Sequence, residues 1–172
     1  MTALPPIWLL DVDGVLNVTS PAWGGVPDRH QVWSAADSYA YRFCWAPGLI
    51  DRIHDLHRDG VVEVVWCTTW CAEADLLERL WALPALRRAF TAPFRDAEAS
   101  AAKLAAARQV LADGRRLVWT DDLEVPTGGP VYDELTAHGR ALLIRPATSH
   151  GLRRRHLNEI EIFARNPSTG DA

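Results

Sequence analysis

Two aspartates stand at the end of a short apolar run near the N-terminus, where Ile7 to Leu10 leads into Asp11-Val12-Asp13-Gly14-Val15-Leu16-Asn17. An apolar run of this length reads as a buried strand of a mostly parallel sheet. Open α/β sheets bind their ligands at the carboxyl ends of such strands. Two carboxylates placed there repel each other and resist desolvation. A divalent cation relieves both problems, so the pattern predicts a magnesium site with one nucleophilic and one acid/base carboxylate. A solvated Asp-Gly turn is the plain alternative.

Two more segments bear on that choice. Trp66-Cys67-Thr68-Thr69-Trp70 closes a second apolar run and puts hydroxyls at a strand end, where a hydroxyl and its amide can bind a phosphate oxygen or cap the next helix. Trp119-Thr120-Asp121-Asp122-Leu123-Glu124 is a second acidic pair at a strand end. If the sheet brings these ends together, Asp11, Asp13, Asp121 and Asp122 form a nest of carboxylates that requires a divalent cation. Lys103 then supplies a compensating point charge. It is the one lysine among 18 basic residues, as expected for a position that a wide planar guanidinium cannot fill.

The elements that must position these residues follow from the apolar pattern. Strands are expected at Ile7–Asp11, Val61–Cys67, Ala89–Thr91, Leu117–Thr120 and Ala141–Arg145, and helices at Gly48–Arg58, Ala72–Leu80, Ala101–Ala112 and Leu152–Ala164. This alternation predicts a doubly wound, Rossmann-like α/β domain, a three-layer sandwich around a central parallel sheet. In the third helix, Ser100 is expected to cap the start and Gly114 to close the end, with Leu104, Ala107 and Leu111 facing the sheet and Lys103 in the first turn. Residues 18–45 lack a clear period and read as a flap or small hairpin. Within them the alternation Tyr39, Tyr41, Phe43, Trp45 suits one strand face, with packing favoured over base stacking. Ser149 and His150 precede the last helix and are read as its cap rather than as substrate contacts.

Composition sets the outer limits. At 172 residues one domain is expected over 1–165, followed by a frayed tail at 166–172. No apolar run is long enough to span a bilayer and the N-terminus shows no secretory pattern, so a cytoplasmic location is the expectation, with no membrane partner. The cysteines Cys44, Cys67 and Cys71 are read as reduced thiols, and packing is favoured over zinc ligation for Cys67 and Cys71. A net charge of −4 does not suggest a general polyanion binder, although Arg153, Arg154 and Arg155 are consecutive.

The order of D-x-D-G, a Thr after a strand, a helix-borne Lys and an acidic pair resembles the four motifs of the haloacid dehalogenase-like (HAD) phosphohydrolase superfamily, over roughly residues 7 to 125. The D-V-D-G-V-L-N, W-x-T-x-W and W-x-D-D segments, with Gly151-Leu152 before a helix, are similar to the HAD domains of Swiss Army Knife RNA repair proteins. The resemblance implies that Asp11 attacks phosphorus to form an aspartyl-phosphate, and that Asp13 protonates the leaving oxygen and then activates water. Thr68 and Lys103 would hold the phosphoryl oxygens. Asp121, with Asp11 and the Asp13 carbonyl, would bind Mg²⁺ directly, and Asp122 directly or through a water. Thr69 and Asn17 are candidates for substrate contact. The gaps Asn17 to Gly48 and Thr69 to Lys103 are too short for a large cap. An open site of this kind suits a phosphorylated nucleic-acid end, with a polynucleotide 3′-phosphate foremost. A small-metabolite or nucleotide phosphatase is the rival, and a non-catalytic HAD-fold binding module is the alternative outside enzymes.

Overall fold

The computed structural model describes residues 4–166. Its centre is a parallel five-stranded sheet. The strands are β1 (Ile7–Leu10), β4 (Glu63–Trp66), β5 (Arg87–Arg88), β6 (Leu117–Thr120) and β7 (Ala141–Ile144), and they lie side by side in the order β5-β4-β1-β6-β7. β1 is the middle strand, with Leu10 level with Trp66 on one side and with Thr120 on the other. That register delivers Asp11 and Asp121 to adjacent positions. It also makes the end of β1 the point where the chain winds off in two directions, the place at which such sheets form a crevice.

The strands are short and apolar because both faces of the sheet are covered. Alternate residues serve opposite layers. Trp8, Leu10, Val64, Trp66 and Val118 face one core cluster, and Ile7, Leu9, Val65, Leu117 and Trp119 face the other. The first layer contains α1 (Pro47–Arg58), α2 (Ala74–Leu80) and α5 (Arg154–Arg165), and the second contains α3 (Asp96–Ala112) and α4 (Pro130–Thr136). The chain is therefore a three-layer α/β sandwich, as its pattern implied. In α1, Pro47 opens the helix with a φ already suited to it, and Leu49, Ile50, Ile53 and Leu56 form the buried stripe.

Several expectations need correction. α3 begins at Asp96, one turn before Ser100. Asp96 and Glu98 favour this earlier start because acidic groups suit the positive end of a helix. Ser100 is thus an interior residue, and its hydroxyl reaches Glu124 Oε1 at 2.8 Å instead of capping. The buried stripe of α3 is Ala99, Lys103, Ala107 and Val110, with Leu104 and Leu111 at its margins. Lys103 consequently sits two turns into the helix, on the face toward the sheet. The third strand is Arg87–Arg88 rather than Ala89–Thr91 and forms a two-residue edge beside Val65 and Trp66. α4 escapes a periodicity search because it has seven residues and buries only Leu135. Ser149 and His150 do not cap α5, whose N-cap is Arg153. They fasten the preceding loop to residues 19–22 instead: Ser20 N–H donates to Ser149 O at 2.9 Å and His150 Nδ1 lies 2.9 Å from Ser20 O. Of the tail at 166–172, all but Asn166 lies outside the described residues.

The two gaps that could have held a cap contain little. Residues 28–45 form an antiparallel hairpin of β2 (Asp28–Ser34) and β3 (Tyr39–Trp45). Residues 71–88 hold a 3-10 turn (Cys71–Glu73), α2 and β5. No large cap covers the carboxyl ends of the strands. Among the described residues no helix is long and apolar enough to cross a membrane.

The loop before α5 closes against the loop after β1. Leu152 N–H donates to Val15 O at 2.9 Å, and Gly151 has φ of +63°. A Cβ at Gly151 would overlap the Val15 carbonyl, a backbone group that cannot swing away. Gly151→Ala is therefore expected to destabilise the fold by about 2 kcal/mol or more. Urea unfolding measures this, and a change under about 0.5 kcal/mol, the range of a neutral surface substitution, would show that the two loops are not held together here.

Candidate active site

The loop from Asp11 to Asn17 coils tightly. Val12 O accepts the amides of Val15, Leu16 and Asn17, and Gly14 supplies a φ of +73°. A Cβ at Gly14 would overlap the Asp122 carboxylate, so glycine here lets the first acidic loop approach the second. Asp11 and Asp121 end neighbouring strands and are buried. Lys103 reaches both from below. Its Nζ donates to Asp121 Oδ2 at 2.6 Å and lies 3.0 Å from Asp11 Oδ2. The other oxygen of Asp121, Oδ1, accepts the amides of Leu123 (2.9 Å) and Glu124 (2.8 Å), which fixes the loop after β6. Asp122 is held by a hydrogen bond from Thr148 and by Arg145 Nε, which donates to its carbonyl at 2.8 Å.

Asp11, Asp121 and Asp122 each offer an oxygen within 4.8 Å of the others. Three carboxylates face one ammonium, and the charge left over is what a divalent cation neutralises. An all-oxygen set of this kind suits a hard cation such as Mg²⁺, so the residues present fit that group. The electrostatics carry the same strain. Burial, and then the Asp121 charge, push the Asp11 carboxyl well above the usual carboxylate range against the opposing pull of Lys103. Burial also raises Asp122. For Lys103, burial opposes the charged form, but Asp11 and Asp121 outweigh it and hold the ammonium above its ordinary pKa.

Asp13 is exposed beside this cluster, and its side chain is aimed by two donors. Asn17 Nδ2 donates to Oδ1 at 2.8 Å and Trp70 Nε1 to Oδ2 at 2.9 Å. Thr68 is fully buried at the end of β4; its Oγ1 accepts the Trp70 amide at 3.3 Å, which leaves the hydroxyl proton to donate. Thr69 is half-buried, and with Asp13, Tyr41, Trp70 and Arg95 it lines a small pocket. Asn17 is held by two hydrogen bonds: its Nδ2 donates to Asp13, and its Oδ1 accepts the Cys44 amide at 2.9 Å; it also lines the cavity between the catalytic loop and the hairpin. The fold thus brings together Asp11, Lys103, Asp121 and Asp122, and sets Asp13 and Thr68 at the neighbouring strand ends.

A match to the model of one family covers residues 7–157, described as the HAD domain in Swiss Army Knife RNA repair proteins. The chain belongs to this family. Membership implies phosphohydrolase-type function. Among curated proteins and among solved structures, none matches the chain.

The sequence pattern did not single out Trp70, Gly14 or Thr148 for the parts they play. A Trp two residues after a strand-end Thr is the available signal for the first, since an indole N–H near a polar loop seeks an acceptor. Gly14 and Thr148 depend on how two loops meet. Cys67 and Cys71 are buried thiols raised by desolvation, and Cys71 Sγ donates to Trp66 O at 3.3 Å, which agrees with packing rather than zinc. In the aromatic alternation Tyr41, Phe43 and Trp45 pack, while Tyr39 at its start is exposed. Tyr41 and Phe43 meet Trp70 edge-on, and Phe43 and Trp45 meet Trp81 in the same way. Arg154 lies over the Trp23 ring at 4.9 Å, so part of the arginine run serves the fold.

Removing the Lys103 charge leaves two buried carboxylates without a partner. Lys103→Met is expected to lower stability by about 3–5 kcal/mol in chelator. Lys103→Arg should lose a comparable amount, because the buried slot fits a point charge. Urea midpoints of the three proteins measure this, and an Arg variant as stable as wild type would show that any cation suffices.

Proposed function

We propose that the protein is a Mg²⁺-dependent phosphomonoesterase that works through an aspartyl-phosphate on Asp11, with a polynucleotide 3′-phosphate as its substrate. The observation that carries this reading is the cluster of Asp11, Asp121 and Asp122 around Lys103, with Asp13 aimed beside it. In the first step an Asp11 oxygen bonds to phosphorus as the ester bond breaks, and Asp13 gives its proton to the leaving oxygen. In the second step Asp13 takes a proton from water as that water attacks phosphorus, which releases phosphate and restores Asp11. Bound Mg²⁺, held by Asp11, Asp121, Asp122 and the Asp13 carbonyl, would neutralise charge on the transferring group. Lys103 and the Thr68 hydroxyl do the same from the protein side. Positioning and neutralisation are most of what phosphoryl transfer needs, and acid/base help from Asp13 adds about 10²–10⁴-fold.

The absence of a large cap favours a substrate that extends beyond the site, and the family description names RNA repair. A small-metabolite or nucleotide phosphatase remains the second reading. A cavity of about 850 Å³ beside the catalytic loop favours it, because that volume is typical of small-molecule sites, about 300–1,000 Å³.

Four outcomes are expected. Chelator should abolish hydrolysis, and Mg²⁺ at a hundredfold excess over its Kd should raise Tm by about 5–10 °C, the equivalent of about 2.7 kcal/mol. A Tm indifferent to Mg²⁺ would remove the metal from the reading. Rapid quench with labelled substrate should trap an acid-stable phosphoryl group on Asp11, lost in Asp11→Asn; label on another residue would overturn the mechanism. Trp70→Phe, which removes one of the two donors to Asp13, should lower kcat by about tenfold or more at little change in KM. On substrate choice, a higher kcat/KM for an oligonucleotide 3′-phosphate than for sugar phosphates, shrinking as salt rises, supports the nucleic-acid reading. Equal values independent of salt would favour a small metabolite.

A further inference from the structure

Asp13 lines a small hollow, and its neighbours Gly14 and Asn17, the latter hydrogen-bonded to it, line a larger one; a leaving group whose oxygen takes the Asp13 proton extends from there into one of the two. The smaller hollow, beside Thr69 and Trp70, is unsuited to an anion: its one cation, Arg95, is taken by Asp37 Oδ1 at 2.6 Å, and the carboxylates of Asp13 and Glu73 also line it. The larger one, the cavity of about 850 Å³, lies between the catalytic loop and the hairpin face turned away from Trp70 and Trp81. Gly14 and Thr148 line it, and both touch Asp122.

The charges of this cavity differ from those of the chain. No carboxylate lines it, although the chain carries 22 acidic residues against 18 basic ones. Arg29 and Arg42 both line it, both are exposed, and among the described residues neither has an ion-pair or hydrogen-bond partner. The hairpin register puts Arg29 opposite Cys44 and Arg42 opposite Gln31. The two arginines are therefore diagonal neighbours on one face, about 7–8 Å apart at the backbone, close enough for two long guanidinium side chains to converge on one anion. Between them and the catalytic loop, Val18 and Cys44 supply an apolar floor.

We propose that Arg29 and Arg42 form a second phosphate subsite that binds a phosphate carried by the leaving group itself, with the nucleoside-sized body of that group on the apolar floor. This rests on the reading of Asp11 and Asp13 as the catalytic pair and specifies what their substrate must carry. A terminal phosphate whose leaving alcohol bears another phosphate meets the requirement, and a lone sugar phosphate does not. Forked guanidinium donors suit phosphate oxygens better than any other cationic group in the chain.

The test compares a nucleoside 3′,5′-bisphosphate with the matching 3′-monophosphate. Binding is measured by calorimetry in an Asp11→Asn background with Mg²⁺, where no turnover intervenes, and kcat/KM is measured with Asp11 intact. The bisphosphate should bind about ten- to a hundredfold tighter, the range expected for hydrogen bonds to a charged group. That advantage should shrink as salt rises. Arg29→Ala with Arg42→Ala should bring the ratio close to one, and Arg29→Lys with Arg42→Lys should restore part of it. Thermal unfolding confirms that the variants are folded, and the single Arg→Gln changes serve if the double variant is not. Equal affinity for the two ligands, or an advantage that survives loss of both arginines, overturns the subsite. If neither compound is hydrolysed, the catalytic reading fails, while the binding ratio still decides whether the subsite exists.

Discussion

The buried ammonium of Lys103 between Asp11 and Asp121 is the contact on which the architecture turns. β1 and β6 are parallel neighbours in register, so their ends deliver two carboxylates side by side into a place with little water. A buried charge without a partner is far more costly than a buried pair, so these strands can end in aspartate only if a cation comes up beneath them. α3 supplies it by giving a position on its sheet-facing stripe, between Ala99 and Ala107, to a lysine. The small residues on either side let the helix lie close enough for a four-carbon stem to span the distance. The third carboxylate, Asp122, enters through the space left by the missing side chain of Gly14. One ammonium does not balance three carboxylates, and that residual charge makes the site a receiver of cations.

Much of this was legible before any coordinates, for a definite reason. Strands covered on both faces are continuous apolar runs, so β1, β4, β6 and β7 announce themselves, and each acidic or hydroxyl-bearing residue just past such a run must lie at one edge of the sheet. Lys103 stood out by being the lone lysine. What was not legible depends on contacts between segments distant in sequence. Ser100 carries the signature of a helix cap, but the acidic turn before it extends α3 and leaves Lys103 two turns into the helix. Arg87–Arg88 has no apolar signature because an edge strand needs none on its open side. Asn17 was read as a candidate for substrate contact, and the part that only the folded chain reveals is that its amide joins Asp13 to the hairpin.

Residues 18–45 were expected as a flap or small hairpin, and the hairpin they contain is tied to the rest of the fold along its length. At its base, Val18 N–H donates to Cys44 O and the Cys44 amide donates to Asn17. At its tip, the Glu73 carboxylate takes up Ser34 and Ala35, and Asp37 pairs with Arg95, which pulls the Asp37 carboxyl below its usual range. One face of β3 is bound to the core by the edge-on stack of Tyr41, Phe43 and Trp45 against Trp70 and Trp81. Trp70 thereby carries two duties, since the indole that supports the hairpin also donates to Asp13. A shift of the hairpin would be felt at the Asp13 carboxylate through both Trp70 and Asn17.

A hairpin tied down in this way changes how such a site can select its substrate. Phosphatases with a large mobile cap can exclude water and poor substrates by closing, at the expense of a conformational step. Among the described residues no large cap is present, so on the proposed function discrimination would fall to groups already in place, and a preformed pocket avoids the ordering cost of a moving one. The hairpin divides this work between its faces. The inner face spends its aromatic residues on rigidity and on aiming Asp13. The outer face keeps Arg29 and Arg42 free of carboxylates in a chain that has more acidic than basic residues. Unpaired arginines against an acid-free wall are inexpensive while water solvates them, and they become selective when an anion of the right reach displaces that water. If the proposed subsite holds, the reach from the acidic cluster to the hairpin, rather than the closing of a lid, would set which phosphate esters are held.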